Sequence, residues 1–175
     1  MIFFPPLLPY IADLLNHPRV VETRTHIHHG ISKYDHLRRS ALLSYHLAPL
    51  LGANREVCVR AAILHDIDSR YGTLTSHGAI AAEHAATIGE TEQVCRAIIS
   101  HMYPFGPAPT TREGWVLVVA DKLASLSDLT CFLGGLFTGH SLKVRRQLRS
   151  SDPFIMTRKE HGRKKIARLL TWKGR

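Results

Sequence analysis

Four small polar residues, Ser32, Asn54, Ser76 and Thr111, each stand directly ahead of a run whose apolar residues recur every three to four positions. That rhythm is the signature of a helix with one buried face. A Ser, Thr or Asn in front of it can accept hydrogen bonds from the first free N–H groups, so the starts are marked as well as the bodies. Ser32 is followed by "KYDHLRRSALLSYHLAPLL", closed by Gly52, with Leu37, Ala41, Leu42, Tyr45 and Ala48 on one face. Asn54 is followed by "REVCVRAAILHDI", and Ser76 by "HGAIAAEHAATIG", which stops at Gly89. A further helix is expected over "ETEQVCRAIISHMY" up to Pro104, then a proline-rich loop, "PFGPAPTT". Thr111 precedes "REGWVLVVADKLASLSDLTCFL". Its β-branched portion "WVLVVA" alone could pass for a strand, but the continuation "DKLASLSDL" keeps a helical rhythm. Shorter helices are expected over Pro5–Asn16, over "GHSLKVRRQLR" and, as a basic amphipathic segment, over "RKEHGRKKIARLLTW". With no alternation of strands and helices, the expected fold is all-α, a single helical bundle.

The net charge of +9 would suggest a nucleic-acid binder if it were spread over the chain. It is not. Residues 141–175 carry twelve bases and two acids, net +10, which leaves the other 140 residues at −1. The expected organisation is a near-neutral bundle over 1–140 and a basic extension over 141–175. The extension reads first as a solvated helix. Its alternatives are contact with nucleic acid or another anionic surface, and steering of a polyanionic substrate. Cys58, Cys95 and Cys131 are odd in number and widely spaced, so they form neither a disulfide framework nor a zinc motif. They are expected as small core residues in a reducing cytoplasm. The apolar N-terminal stretch lacks a basic leader and a small-residue cleavage site, which argues against a signal peptide. No apolar run reaches the ~18 residues that a membrane span needs.

Against this apolar background a few polar residues stand out. His36, the adjacent pair His65 and Asp66 of "AILHDID", His77, His101 and Asp121 each interrupt an apolar helical face. Burying imidazole and carboxylate there is costly without compensation. A divalent transition metal (Fe, Mn, Co, Ni or Zn) is the compensation that such donors suit. Adjacent helical residues point about 100° apart, so His65 and Asp66 can share a centre only at a helix end or between their two directions. The bland alternatives are a structural His–Asp hydrogen bond, a polar first-turn residue at His77 and a helix-terminal histidine at His101.

The ordered segments "HHGISKYDHLRRSA", "RAAILHDID", "HGAIAAEHA", "IISHMYPFGPAPTTREGW" and "VADKLASLSD" resemble the HD-domain metal-dependent phosphohydrolase superfamily, as found in small bacterial proteins. The resemblance runs from about His28 to about Asp128. It implies an all-α bundle in which His36, His65, Asp66 and Asp121 bind a first metal. His77 and His101 bind a second, with Asp66 bridging. It further implies that Arg39 faces substrate phosphate and that Lys122 follows the last ligand as in many members. Arg38 is a rival for the role of Arg39, and Lys122 has a neighbouring acid as its other candidate partner. The implied reaction is hydrolysis of a phosphomonoester or phosphodiester, in a nucleotide or a small phosphorylated metabolite, by a metal-activated hydroxide. Lys122 and Arg39 would steady the phosphoryl charge, and Asp66 and His65 would sit at the catalytic centre. The alternative is a metal-containing module without turnover that binds a nucleotide, or nucleic acid through its basic tail. His28 and His29 before Gly30, His84, Asp68 and the proline loop have no settled role in this reading. His17, His26, His46, His140 and His161 are background.

Overall fold

A computed structural model of the chain describes residues 6–28 and 31–151. Among them are eight α-helices and one small hairpin. Helices α1 (Leu8–Ile11) and α2 (Pro18–Glu22) lead into strands β1 (Ile27–His28) and β2 (Ile31–Ser32). The bundle follows as α3 (Lys33–Leu50), α4 (Arg55–Leu64), α5 (His77–Thr87), α6 (Glu92–Ile99) and α7 (Arg112–Phe137), and α8 (His140–Ser151) comes last.

The helices start where caps stand. Ser32 Oγ accepts from the Asp35 N–H, Asn54 Oδ1 from those of Glu56 and Val57, and Thr111 Oγ1 from that of Gly114. Ser76 holds the expected position before α5 but caps nothing, because its hydroxyl turns back to accept from the Thr73 N–H. Thr91 caps α6 instead of the glutamate read as its start. Gly52, at φ +61, supplies the left-handed residue beyond the end of α3.

Helix α4 is the central rod. Val57, Cys58, Val59, Ala61, Ala62, Ile63 and Leu64 are all buried, as in a helix covered on every side. Helices α3, α6 and α7 pack around it, and α5 packs on α6. Leu37, Ile63, Leu64, Ile67, Ile98 and Leu117 are fully buried, each worth about 1.5–3 kcal/mol of transfer free energy. Alanines 81, 82, 85 and 97 keep the α5–α6 seam thin. Gly78 keeps it thinner still: a Cβ there would stand 2.8 Å from the Ile99 carbonyl oxygen. The close approach sets His77, the residue before it, against the end of α6.

Several expectations change. Within the described part of the opening segment, Leu8–Ile11 alone is α-helical and turns follow. Helix α6 ends at Ile99, well before Pro104, so His101 lies in the turn after it. The stretch around His28 and Ser32 forms a hairpin, in which Ile27 pairs with Ser32 and His28 with Ile31. Cys58 is buried, but Cys95 is half-buried and Cys131 is exposed. Helix α8 spans the expected boundary at residue 140 and packs on α7 and the hairpin. The basic amphipathic segment, with the rest of 152–175, lies outside the described residues. No described helix is long and apolar enough to cross a membrane.

Candidate metal centre

Of the six predicted ligands, His36 and Asp121 project from within α3 and α7, and the rest stand at helix ends. Helix α4 stops at Leu64, and His65 and Asp66 follow it. His77 is the first residue of α5, and His101 sits two residues beyond α6. The helix-end solution for the adjacent pair is therefore the one realised. All six are buried. Five line one cavity of about 590 Å³, together with Ser69, Thr73, Lys122 and Ser125 and the apolar Leu74, Met102 and Phe105. His36 stands behind, with its Nε2 3.1 Å from Asp121 Oδ1.

Backbone carbonyls orient three of the four imidazoles. His65 Nδ1 donates to Ala62 O at 2.8 Å, His77 Nδ1 to Thr73 O at 2.9 Å and His101 Nδ1 to Ile98 O at 2.7 Å. A carbonyl only accepts, so each Nδ1 carries the hydrogen and each neutral ring presents its Nε2 lone pair. Those lone pairs converge: His77 Nε2 and His101 Nε2 are 3.0 Å apart. Two lone pairs that close repel unless a proton or a metal cation lies between them. Imidazole nitrogens bound to one ion at ~2.0–2.1 Å come about 3 Å apart when they take adjacent positions. Asp66 Oδ1 lies 3.6 Å from His77 Nε2, and Asp121 Oδ1 lies 3.6 Å from His65 Nε2. The ligand atoms of His36, His65 and Asp121 form one compact group that could hold a metal, and those of His65, Asp66 and His101 form another. This donor set fits divalent transition-metal ions.

The charges agree with the geometry. Desolvation pulls His36 down, but the carboxylates of Asp121 and Asp128 outweigh it and lift the ring to about 9. Burial, helped by His65, draws His101 down to about 3. Burial pushes Asp66 up, yet Lys33 and the neighbouring histidines hold it far below the usual carboxylate range. Burial pushes Asp121 up as well, yet the nearby His36 and His65 rings and the Lys122 ammonium hold it well below that range. Ionised carboxylates beside a neutral His101 are what a cation requires of its ligands, whereas His36 would have to give up its Nε2 proton to bind one.

Sequence reasoning missed three residues. Lys33 is buried, with Nζ 3.2 Å from both Asp66 O and Asp66 Oδ2 and a short contact to Ser69 Oγ. Nothing in the sequence signals this, since a lysine opening a helix is normally solvated. His28 stacks on His36 with ring centroids 4.1 Å apart, and its Nδ1 is 3.5 Å from Asp66 Oδ2. Asp128 is wholly buried and takes His36 Nδ1 at 2.7 Å on one oxygen and Arg39 Nη1 at 2.7 Å on the other. Its signal was available: seven residues after Asp121 on one helix is the same face.

Other placements differ from expectation. Arg39 lines a neighbouring cavity, not the one that holds the His–Asp cluster. Arg38 lies 3.7 Å from Asp35. Lys122 donates to Asp121 Oδ2 at 2.8 Å and to His101 O at 3.3 Å while lining the cavity, so it meets both of its expectations in part. Asp68, left without a settled role, is buried, with Arg19 at 2.9 Å and His84 at 2.5 Å. His84 thus serves Asp68 and not the cluster. His29 and His161 lie outside the described residues.

The HD domain model matches residues 34–126, more than half of the chain. Ribonuclease Y of Cutibacterium acnes is 34% identical over 125 residues, which covers 68% of this chain and 20% of that protein. Ribonuclease Y of Chloroflexus aurantiacus is 33% identical over 98 residues, 55% of this chain and 19% of that protein. The glycine–tRNA ligase beta subunit of Streptococcus mutans is 27% identical over 172 residues, 93% of this chain and 23% of that protein. The chain spans about a fifth of the length of these curated relatives. No solved structure matches it. The matched span contains His36, His65, Asp66, His77, His101 and Asp121, and on that match the chain belongs to the HD domain family.

Proposed function

We propose that this chain hydrolyses a phosphate ester of a small molecule, such as a nucleotide, in a metal-dependent reaction. Membership of the HD domain family carries the coarse statement, a place in a superfamily of metal-dependent phosphohydrolases. The observation that carries the finer one is the pair of facing lone pairs on His77 and His101, set beside Asp66 and the His36–His65–Asp121 group. In this reading His36, His65, Asp66 and Asp121 hold a first ion, and His77 and His101 hold a second with Asp66 between them. Ions bound there would supply Lewis acidity and a water acidic enough to ionise near neutral pH.

The protein's own part is to fix and to neutralise. Backbone carbonyls keep the lone pairs of His65, His77 and His101 aimed at the cavity. Asp128 holds His36 by its Nδ1. Lys33 compensates the buried charge of Asp66. The Lys122 ammonium is nearly half-exposed at the cavity and already tethered by Asp121. It is therefore pre-set to meet the charge that builds on phosphoryl oxygens, a use of fixed positive charge that needs little reorganisation. The hydroxyls of Ser69, Thr73 and Ser125 offer further donors on the same wall.

Hydrolysis of a chromogenic phosphoester with added Mn²⁺ tests this. Metal-dependent turnover that Asp66→Ala abolishes is expected, and a wild-type chain that binds metal yet leaves a panel of mono- and diesters intact would refute it. The names of the relatives, a ribonuclease and a tRNA ligase subunit, favour RNA as a second ligand class, met through the basic residues beyond Ser151. RNA binding that weakens steeply with salt and is lost on truncation after Ser151 is the result that reading requires.

A further inference from the structure

Asp128 faces two ways, toward His36 and toward Arg39. On the Arg39 side lies a second cavity, of about 520 Å³, lined by residues of β2, α3, α7 and α8. It shares no lining residue with the His–Asp cavity. Its charged lining consists of Arg24, Arg39 and Asp35, with His140 beside them. Asp35 is already engaged, accepting from Ser32 Oγ at 2.7 Å and lying 3.7 Å from Arg38.

The two arginines have donors to spare. A guanidinium carries five N–H groups. Arg39 gives one to Asp128 and meets no other acceptor among the described residues. Arg24 lies over the Tyr34 ring at 4.7 Å and reaches the Tyr34 hydroxyl at 3.5 Å. Spare guanidinium donors around a cavity whose one carboxylate is engaged favour an anion, and the planar fork matches the oxygens of a phosphate. Ile31, Val144 and Leu148 supply apolar wall, which suits a carbon skeleton attached to that anion.

We propose that this cavity is a second ligand site, for a small molecule bearing a phosphate group, and that its occupancy acts on the His–Asp centre through Arg39, Asp128 and His36. The coupling rests on the His–Asp centre holding metal, whereas the binding does not. A phosphate on Arg39 competes with Asp128 for the guanidinium. Asp128 then gives more of its charge to the His36 Nδ1–H, which makes that imidazole a better donor at Nε2. Because coupling is reciprocal, a metal at the centre changes the affinity of the second site by the same factor.

The test uses the full chain carrying Asp66→Ala and stripped of metal by a chelator, so that phosphate has no ion to bind at the His–Asp centre, titrated with inorganic phosphate by calorimetry. Saturable binding is expected. Gln147→Glu, which adds a carboxylate to the lining, should weaken it about threefold or more. Val144→Trp, which fills the cavity, should remove it, with circular dichroism showing that each variant keeps its helices. With Asp66 intact, saturating phosphate should change Mn²⁺ affinity about twofold or more, and Gln147→Glu should erase that change. No saturable binding, or binding indifferent to both lining variants, overturns the site. Binding that obeys the variants while Mn²⁺ affinity ignores Gln147→Glu overturns the coupling alone. Absence of Mn²⁺ binding with phosphate binding intact refutes the hydrolase reading and the coupling, and leaves the site standing.

Discussion

Replacing Asp128 by Asn is the most informative single change. The carboxylate accepts two charge-assisted hydrogen bonds at 2.7 Å, one on each oxygen, in a wholly buried position. An amide of the same shape has one carbonyl oxygen and one NH₂, so it can satisfy His36 or Arg39 but turns a donor toward the other. The loss is about one charge-assisted hydrogen bond, ~1.5–3 kcal/mol of stability. For a chain of this size that lowers the melting temperature by roughly 3–12 °C. The effect on metal is separate. Removing the group behind a ligating histidine costs about 10–100-fold in affinity, equivalent to ~1.4–2.7 kcal/mol. Competition between the protein and a chelator for Mn²⁺ measures the second effect, and thermal unfolding of metal-free protein measures the first. A variant that melts lower but binds Mn²⁺ as tightly as wild type would refute the claim that Asp128 acts on the metal through His36.

Other outcomes follow from the same geometry. His77→Ala or His101→Ala should remove one of about two ions per chain by elemental analysis, and retention of both would strike these residues from the ligand set. Lys33→Met leaves the buried Asp66 carboxylate short of positive charge, so metal-free protein should lose about 3 kcal/mol, and Mn²⁺ should restore more stability than it adds to wild type. An unchanged melting temperature would show that Lys33 carries no weight. Gly78→Ala presses a methyl toward the Ile99 carbonyl at 2.8 Å and should cost ~1–3 kcal/mol in chemical denaturation, while a neutral effect would mean that the α5–α6 seam yields easily. In metal-free protein the raised His36 contributes stability that is full below about 6.5 and lost as pH climbs through about 9. The lowered His101 works the other way, with stability falling as pH drops from about 6.5 toward about 3. Stability should therefore peak near pH 6.5 with slopes of up to about 1.4 kcal/mol per pH unit on either side. A monotonic profile from pH 4 to 9 would contradict this.

The fold was largely legible because its helices announce themselves locally. Ser32, Asn54 and Thr111 are visible caps, and α4 and α7 are long and apolar enough to be read without tertiary context. The errors came where the tertiary structure decides. Ser76 bonds to Thr73 because the turn before α5 bends back on itself, which no local rule foretells. Helix α6 stops early so that His101 can reach the cavity, although its sequence would tolerate another turn. For the candidate site, the six His and Asp residues were readable because imidazole and carboxylate are conspicuous on apolar faces. Lys33 was not, since its meaning depends on which loop covers it. Arg39 was placed at substrate phosphate by resemblance alone, and the structure sets it on the cavity beside the His–Asp one, because sequence does not say which neighbours occupy a given angle around a helix.

The way the imidazoles are held has a consequence for mutational fragility. His65, His77 and His101 take their tautomers from main-chain carbonyls, which side-chain substitution cannot delete. Their orientation is therefore insured against most point changes and exposed mainly to insertions or deletions that shift the ends of α4 and α6 or the turn before α5. His36 is held by a side chain, and one codon change at Asp128 removes its support. Random substitution should consequently damage the cluster unevenly. Among side chains that hold an imidazole in place, harmful replacements should gather around His36, at Asp128 and Arg39, because the other three rings are held by the main chain.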